Sequence, residues 1–383
     1  MINYNKIAII GAGNGGRATA VYLKNRGFTV NLGFRTFEPI KTIYFTKQIR
    51  SKGRIENIFD IDLITPEYSE LLPEDIGVII FVLPANTHAE VTHKILPFLQ
   101  NNQILLLTPG RTWGAIQVYN IIRKMRPELQ IYVGETQTLP FTSRIIGDTG
   151  VEIIELKTEV QYCFYPEKFN HRVSTIMFKL FPHLVEVDDI RVTSLNNIGA
   201  MLHPVGLILN TGVISRQQDL QFYTEGMAKD VVKIVQAVDE ERCAIMRKIG
   251  MKPITFPQWA NMVYGIREKD YYQVFQRVRG YQGILAPKTM NMRYLTEDMP
   301  TGLVPLSSIG KQVGVPTPAM DALINLACIM LDIDFRSQGR TVEKVGVPRE
   351  LLNCSPVESK SRMENQEIPD EPSKLVIEKP QSF

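Results

Sequence analysis

The chain has 383 residues, 44% of them hydrophobic and 22% charged, enough for two or three domains of ~100–200 residues with sizeable cores. Forty-three Lys and Arg against forty Asp and Glu leave a net charge of +3. So small an excess, with no clustered basic face, excludes a protein that holds nucleic acid by phosphate neutralisation, and the composition argues against disorder or fibrous repeats.

In chain order, Lys6–Ile10 (KIAII) is a short β-branched run that ends at Gly11. Apolar and small residues recur at helical spacing from Arg17 to Lys24, Gly27 stops the helix, and Phe28–Leu32 is a second strand. Strand, glycine turn, helix and strand within about thirty residues make a parallel βαβ unit. Buried-strand runs follow at Val78–Leu83, Ile104–Leu107 and Gln130–Val133, separated by helical patterns at Ala89–Leu99 and Gly114–Met125. Such alternation predicts an α/β fold, a doubly wound parallel sheet over residues 1–188. From 189 to 352 long helical patterns dominate, among them Met227–Ile249 and Ala319–Met330, and a mostly α-helical C-terminal domain is expected. Within it, Pro253–Pro300 reads as irregular and aromatic-rich. Residues 353–383 are polar and proline-bearing, the composition of a disordered tail.

Gly11-Ala12-Gly13-Asn14-Gly15-Gly16 satisfies GxGxxG between the first strand and first helix, the Rossmann dinucleotide fingerprint. Gly11 permits the turn, Gly13 admits a pyrophosphate, Gly16 allows close packing, and the helix N-terminus offers N–H groups to phosphate. NAD-binding units usually place an acid at the end of the second strand. Here the stretch is Asn31-Leu32-Gly33-Phe34-Arg35-Thr36. Arg35, helped by Thr36, suits a 2′-phosphate, so NADP(H) is favoured and NAD(H) is the alternative. Asn14, Gly15, Pro84 and Ala85 complete the expected coenzyme cleft.

Four cysteines at 163, 243, 328 and 354 form no CxxC pair, which fits a reducing, cytoplasmic setting. His88 and His93 are five apart and point in different directions on a helix, so no metal site is expected. No signal-peptide pattern opens the chain, and no uninterrupted apolar stretch reaches ~18–20 residues, so no membrane partner is expected.

The chain resembles the opine dehydrogenase family, which includes octopine and nopaline dehydrogenase-like enzymes, over roughly residues 5–350. The resemblance rests on GAGNGG at Gly11–Gly16, GETQTLPF at Gly134–Phe141, NNIGAMLHPVGLILNTG at Asn196–Gly212 and FYTEGMAKDVVKIVQAVDEER at Phe222–Arg242. TEDMPTGLVP at Thr296–Pro305 and GVPTPAMDALINLA at Gly314–Ala327 add to it. It implies a two-domain enzyme that reductively condenses an amino acid with a 2-oxo acid, often pyruvate, using NAD(P)H. It also implies that a histidine in the HP segment and an aspartate in the TPxxD segment form an acid–base pair, here His203 and Asp321.

Read without the resemblance, His203 lies on an otherwise apolar helix with Asn196 and Asn210, seven residues apart on one polar stripe. Thr138 can hold a substrate carboxylate or cap a helix, and Asn196 can hold ribose or carboxylate or act as a cap. Arg111 reads as a surface residue or an anion contact, Tyr223 and Glu225 as helix caps, and Asp239–Arg242 as a solvated helix face or an ammonium site. The aromatics from Trp259 to Tyr281 suit an amino-donor pocket or packing. The competing functions are an NADP-dependent reductase of a simple 2-oxo or 3-hydroxy acid, and a catalytically silent NADP-binding protein. The expected partners are a small amino acid and a 2-oxo acid, in a monomer or homodimer.

Overall fold

The structure is a computed structural model and describes residues 2–353; of the predicted tail, everything after Asn353 lies outside the described residues. Twelve strands run in chain order: β1 (Asn3–Ile10), β2 (Thr29–Gly33), β3 (Gln48–Gly53), β4 (Asn57–Asp60), β5 (Leu63–Thr65), β6 (Ile76–Phe81), β7 (Ile104–Leu107), β8 (Tyr132–Thr136), β9 (Phe141–Ile146), β10 (Gly150–Leu156), β11 (Val160–Tyr165) and β12 (Leu184–Glu186). Eight of them form one sheet in the order β12-β11-β8-β7-β6-β1-β2-β5. All its pairs are parallel except β8 with β11, so the predicted parallel sheet carries one antiparallel turn-back.

Strand register explains why β1, β6 and β7 read as unbroken apolar runs. Ile7, Ile9, Val78, Ile80, Ile104 and Leu106 face one core, while Ala8, Ile10, Ile79, Phe81, Leu105 and Leu107 face the other. Side chains alternate with period two, so a strand apolar at every position must be covered on both faces. Each of these isoleucines and leucines contributes about 1.5–3 kcal/mol by leaving water. One core continues without a break into the helices of the C-terminal half, through Trp113, Ile116, Met201 and Leu306.

The other face is covered by the Asn14–Asn25 and Asn170–Leu180 helices, and a second sheet the sequence reading missed, in the order β4-β3-β10-β9, packs on the first of these. Its strands are short and half exposed, and β3 pairs in parallel with β10 across about a hundred residues. Arg17 fastens this sheet to the glycine turn: its guanidinium donates to the carbonyl of Ala12 at 3.2 Å and to that of Asp148 at 3.1 Å. Asn14 adds a second tie, accepting from the Ile145 N–H at 2.9 Å.

After β12 the described residues are helical. Asp189 caps the Ile190–Leu195 helix by accepting from the Arg191 N–H, and the chain then breaks at Asn196-Asn197 before the Ile198–Leu209 helix. By length and mean hydropathy the Ile190–Leu209 stretch could cross a bilayer, but Arg191, Asn196, Asn197 and His203 interrupt it, and 78% of its eighteen-residue apolar window is buried inside the fold. Pro253–Pro300 is less irregular than expected, containing helices Phe256–Tyr264 and Tyr271–Arg277. Asp239 and Arg242 are no solvated face. They form a fully buried ion pair at 2.7 Å, and Arg242 also donates to the Asn196 side-chain oxygen at 2.8 Å. Glu241 instead accepts the Ala319 and Met320 N–H groups of the Pro318–Leu331 helix.

Arg340 joins the two halves. It is 3% exposed and donates to the carbonyls of Gly110 and Thr112 at 2.9 and 3.1 Å and of Ala85 at 2.6 Å. Burial and Arg111 lower its pKa to about 10, while Glu135 and Glu297 oppose the shift. Arg340→Met strands three buried carbonyls at ~1–3 kcal/mol each, so the urea unfolding midpoint is expected to fall by an amount equivalent to roughly 3 kcal/mol or more.

Candidate active site

A cavity of about 1000 Å³ runs from the glycine turn to the helical half, touching both Gly13 and His203. At its coenzyme end lie Gly11, Gly13, Asn14, Gly15, Arg35, Thr36 and Pro84, where the sequence placed them. A Cβ on Gly16 would fall 1.7 Å from the Gly11 carbonyl oxygen, so Gly16 serves the closeness of helix to turn rather than the cavity wall. Over Gly13 a Cβ would meet nothing within 4 Å, leaving open backbone at a helix N-terminus, the arrangement a pyrophosphate requires. These residues fit a dinucleotide. Ala85 lies behind the wall: its N–H donates to Glu297 at 3.3 Å and its carbonyl accepts from Arg340. Its expected place in the coenzyme cleft is therefore corrected to one in the joint between the halves.

At the other end, His203 Nδ1 lies 2.7 Å from Asp298 Oδ2, and Nε2 lies 3.0 Å from the Tyr223 hydroxyl. The Tyr294 ring stacks on the imidazole at 4.1 Å between centroids. An ionised carboxylate only accepts hydrogen bonds, so Asp298 fixes the proton on Nδ1 and turns Nε2 toward the cavity. Burial alone would raise the Asp298 pKa, but Arg111, His203 and Arg293 outweigh it and hold the carboxyl below its ordinary value. The resulting stabilisation is present above the ordinary aspartate pKa and is lost as pH falls through the lowered one.

The expected His203–Asp321 pair is not formed. Asp321 is half exposed in a separate hollow, where its carboxylate accepts from Ser307 at 2.7 Å, Thr317 at 3.2 Å and Arg336 at 2.9 Å. Asp298 reaches the histidine because a π-helical turn, Met299–Leu303, follows it and packs on the Ile198–Leu209 helix. A Cβ on Gly302 would sit 2.2 Å from that of Ala200, a close approach only glycine tolerates.

Arg111 is no surface residue. Its side chain bonds Glu297 at 3.2 Å and Asn197 at 3.1 Å and stands 3.6 Å from Asp298. Tyr223 caps no helix either: it is buried, and burial with Tyr294 nearby pushes its hydroxyl well above the ordinary pKa, so it stays a donor. Nor does Glu225 cap a helix: it accepts the Gln221 N–H at 2.7 Å across a turn, and the helix that follows starts at Lys229 with no side-chain cap. Asn196 lines the cavity, but its amide already donates to Val192 and accepts from Arg242. Asn210, bonded to the Gly206 and Gly226 carbonyls, belongs to a turn and not to a catalytic stripe. Thr138 lines the cavity and caps no helix; it accepts from Lys157 Nζ at 3.3 Å. Lys157, Arg293 and Asp298 were missed, since each is placed by chain far away in sequence.

With this geometry, the comparisons decide the family. Residues 186–331 match the model described as NAD/NADP octopine/nopaline dehydrogenase, alpha-helical domain, and residues 1–123 match the acetohydroxy acid isomeroreductase NADPH-binding domain. The opine dehydrogenase of Arthrobacter sp. (strain 1C) is 33% identical over 91% of this chain and 96% of its own. The chain belongs to the opine dehydrogenase family. Its members act as oxidoreductases on the CH–NH bond, and this chain is one. The fold is shared with octopine dehydrogenase in its NADH and L-arginine complex (TM-score 0.73, 18% identity, 89% of this chain and 95% of that one). It is also shared with NADP+-bound yersinopine dehydrogenase (TM-score 0.67, 13% identity, 92% and 96%).

The geometry separates two aspartates. Asp298→Asn is expected to lower kcat by about 100- to 10,000-fold, the usual range for general acid–base catalysis. Asp321→Asn should leave it within roughly threefold, as for a residue outside the cavity. Steady-state coenzyme oxidation measures both.

Proposed function

We propose that the chain condenses an amino acid with a 2-oxo acid and reduces the product, with His203 as acid–base catalyst, Asp298 as its orienting partner and NADP(H) as coenzyme. The observation that carries this reading is the Asp298–His203–Tyr223 relay opening into the same cavity as the glycine turn. When bound, NADPH supplies a hydride to the imine carbon. The overall balance is amino acid, 2-oxo acid, NADPH and one proton giving a secondary amine, NADP+ and water.

Through the Tyr223 hydroxyl, which passes its own proton to His203 Nε2 as it accepts one from the donor ammonium, His203 removes that proton so that the neutral amine can add to the C2 carbonyl. The imidazolium then returns that proton to the former carbonyl oxygen, a second proton passes to it from the amine nitrogen, and the oxygen leaves as water while the C=N bond of the protonated imine forms. Asp298 stabilises that imidazolium through Nδ1, and Tyr223, unable to ionise near neutrality, keeps Nε2 aligned. Arg111, which also lines the cavity, bonds Glu297 and Asn197 and keeps Asp298 charged. Arg293, half exposed at the cavity rim and 3.2 Å from Glu297, faces the oxo-acid carboxylate.

For the coenzyme, Arg35 and Thr36 stand exposed at the lip after β2 with Lys94 beside them; the end of β2 carries no acid, and Glu90 at the same lip is paired with Lys94. That set suits a 2′-phosphate.

Two measurements test the reading. Coenzyme oxidation should appear with pyruvate plus an amino acid and stay at background with pyruvate alone; turnover without an amine would establish the simple reductase instead. Arg35→Ala should weaken NADPH binding about 10- to 100-fold while changing NADH binding by less than about threefold, as loss of one charge-assisted contact worth ~1.5–3 kcal/mol requires. Equilibrium fluorescence titration reads this, and equal losses for both coenzymes would sink the NADP assignment.

A further inference from the structure

Beyond His203 the cavity wall changes character. Trp259, Tyr264, Tyr281, Ile284 and Met292 line it as an aromatic and apolar cage, braced by Tyr281 stacked on Tyr223 at 4.3 Å. Among the described residues only two carboxylates line the cavity, and both are committed. Glu90 pairs with Lys94 at the coenzyme lip, and Glu297 serves Arg111, Arg293 and the Ala85 N–H. A cationic donor side chain in the cage would meet ring faces but no free cavity-lining carboxylate, so the loss of its hydration would be offset only in part.

Lys157 supplies what an amino acid needs at the cage mouth. It follows β10, lines the cavity, touches Thr138 and forms no ion pair among the described residues. Glu155, two residues earlier, acts electrostatically on both Lys157 and Tyr264. Burial and Arg111 bring the Lys157 pKa down to about 8, with Glu155 pulling it up, so the ammonium still carries charge at neutral pH.

We infer that Lys157 and Thr138 anchor the carboxylate of the amino donor, and that the adjoining cage selects a donor with an uncharged apolar or aromatic side chain. The inference rests on the condensation reading above and adds the donor class and its anchor. A carboxylate seated there projects the amine toward His203 and the side chain among the rings.

The test crosses substrate and enzyme, with pyruvate and NADPH held constant. Phenylalanine, leucine and methionine should exceed arginine, lysine and aspartate in kcat/KM by about tenfold or more, and phenylalanine should exceed 2-phenylethylamine, which lacks the carboxylate. Lys157→Met should raise KM for phenylalanine about tenfold, the value of one charge-assisted contact. It should leave kcat, the pyruvate KM and the 2-phenylethylamine rate within roughly threefold, and Lys157→Arg should restore most of the loss. A cationic donor ranking first overturns the cage assignment. An equal loss with 2-phenylethylamine, or a shift confined to pyruvate, overturns the anchor. Tryptophan fluorescence of the NADPH-loaded protein gives a readout apart from turnover. Saturable phenylalanine binding weakened by Lys157→Met upholds the anchor even if no pair of substrates turns over, which would overturn only the condensation reading; no binding in either assay overturns both.

Discussion

Two arginines and three carboxylates are buried where the halves of this protein meet, and none can stay there without the others. Arg111 comes from the loop after β7, Glu297 and Asp298 from the segment before the π-helical turn, Glu135 from the end of β8 and Arg340 from near the end of the described chain. An unpaired charge at such depth costs several kcal/mol, so Glu297 and Asp298 are held by Arg111, while Arg340 is held by three carbonyls and Glu135 by Thr193, Ser194 and the Ala115 N–H. The same constraint orients the proposed acid–base pair. Asp298 is placed by Arg111 as well as by its own backbone, and His203 takes its tautomer from Asp298.

What the sequence revealed and what it hid follow from this arrangement. The βαβ unit, the glycine turn and the two-sided sheet were legible because their causes are local: periodicity, β-branching and a motif within six residues. His203 was legible as a polar residue on an apolar helix. Its partner was not. Asp298 lies 95 positions away, and nothing in TEDMPTGLVP distinguishes a carboxylate aimed at a histidine from one on a surface. Asp321, named through the TPxxD segment of the resemblance, faces Ser307, Thr317 and Arg336 instead.

Arg111, Tyr223, Asp239 and Arg242 were misread for a related reason. Charged and hydroxyl-bearing residues are usually exposed, and only tertiary pairing makes their burial tolerable. The second sheet escaped because its strands are half exposed and join across long stretches of chain, as in Arg50 with Gly150. That sheet is also what brings Lys157 to the cavity, so the missed topology and the missed residue are one omission.

Arg111 has a wider consequence. It belongs by chain to the coenzyme-binding half, yet its bonds to Glu297 and Asn197 are made with the half that carries His203. The two halves are therefore not interchangeable modules. A chimera that took only the helical half from a relative would inherit the histidine and its aspartate but separate them from the cation that keeps the aspartate ionised. In descent, the loop around Arg111 and the segment around Asp298 must change together, so coenzyme choice at the far lip can drift freely while the catalytic joint cannot.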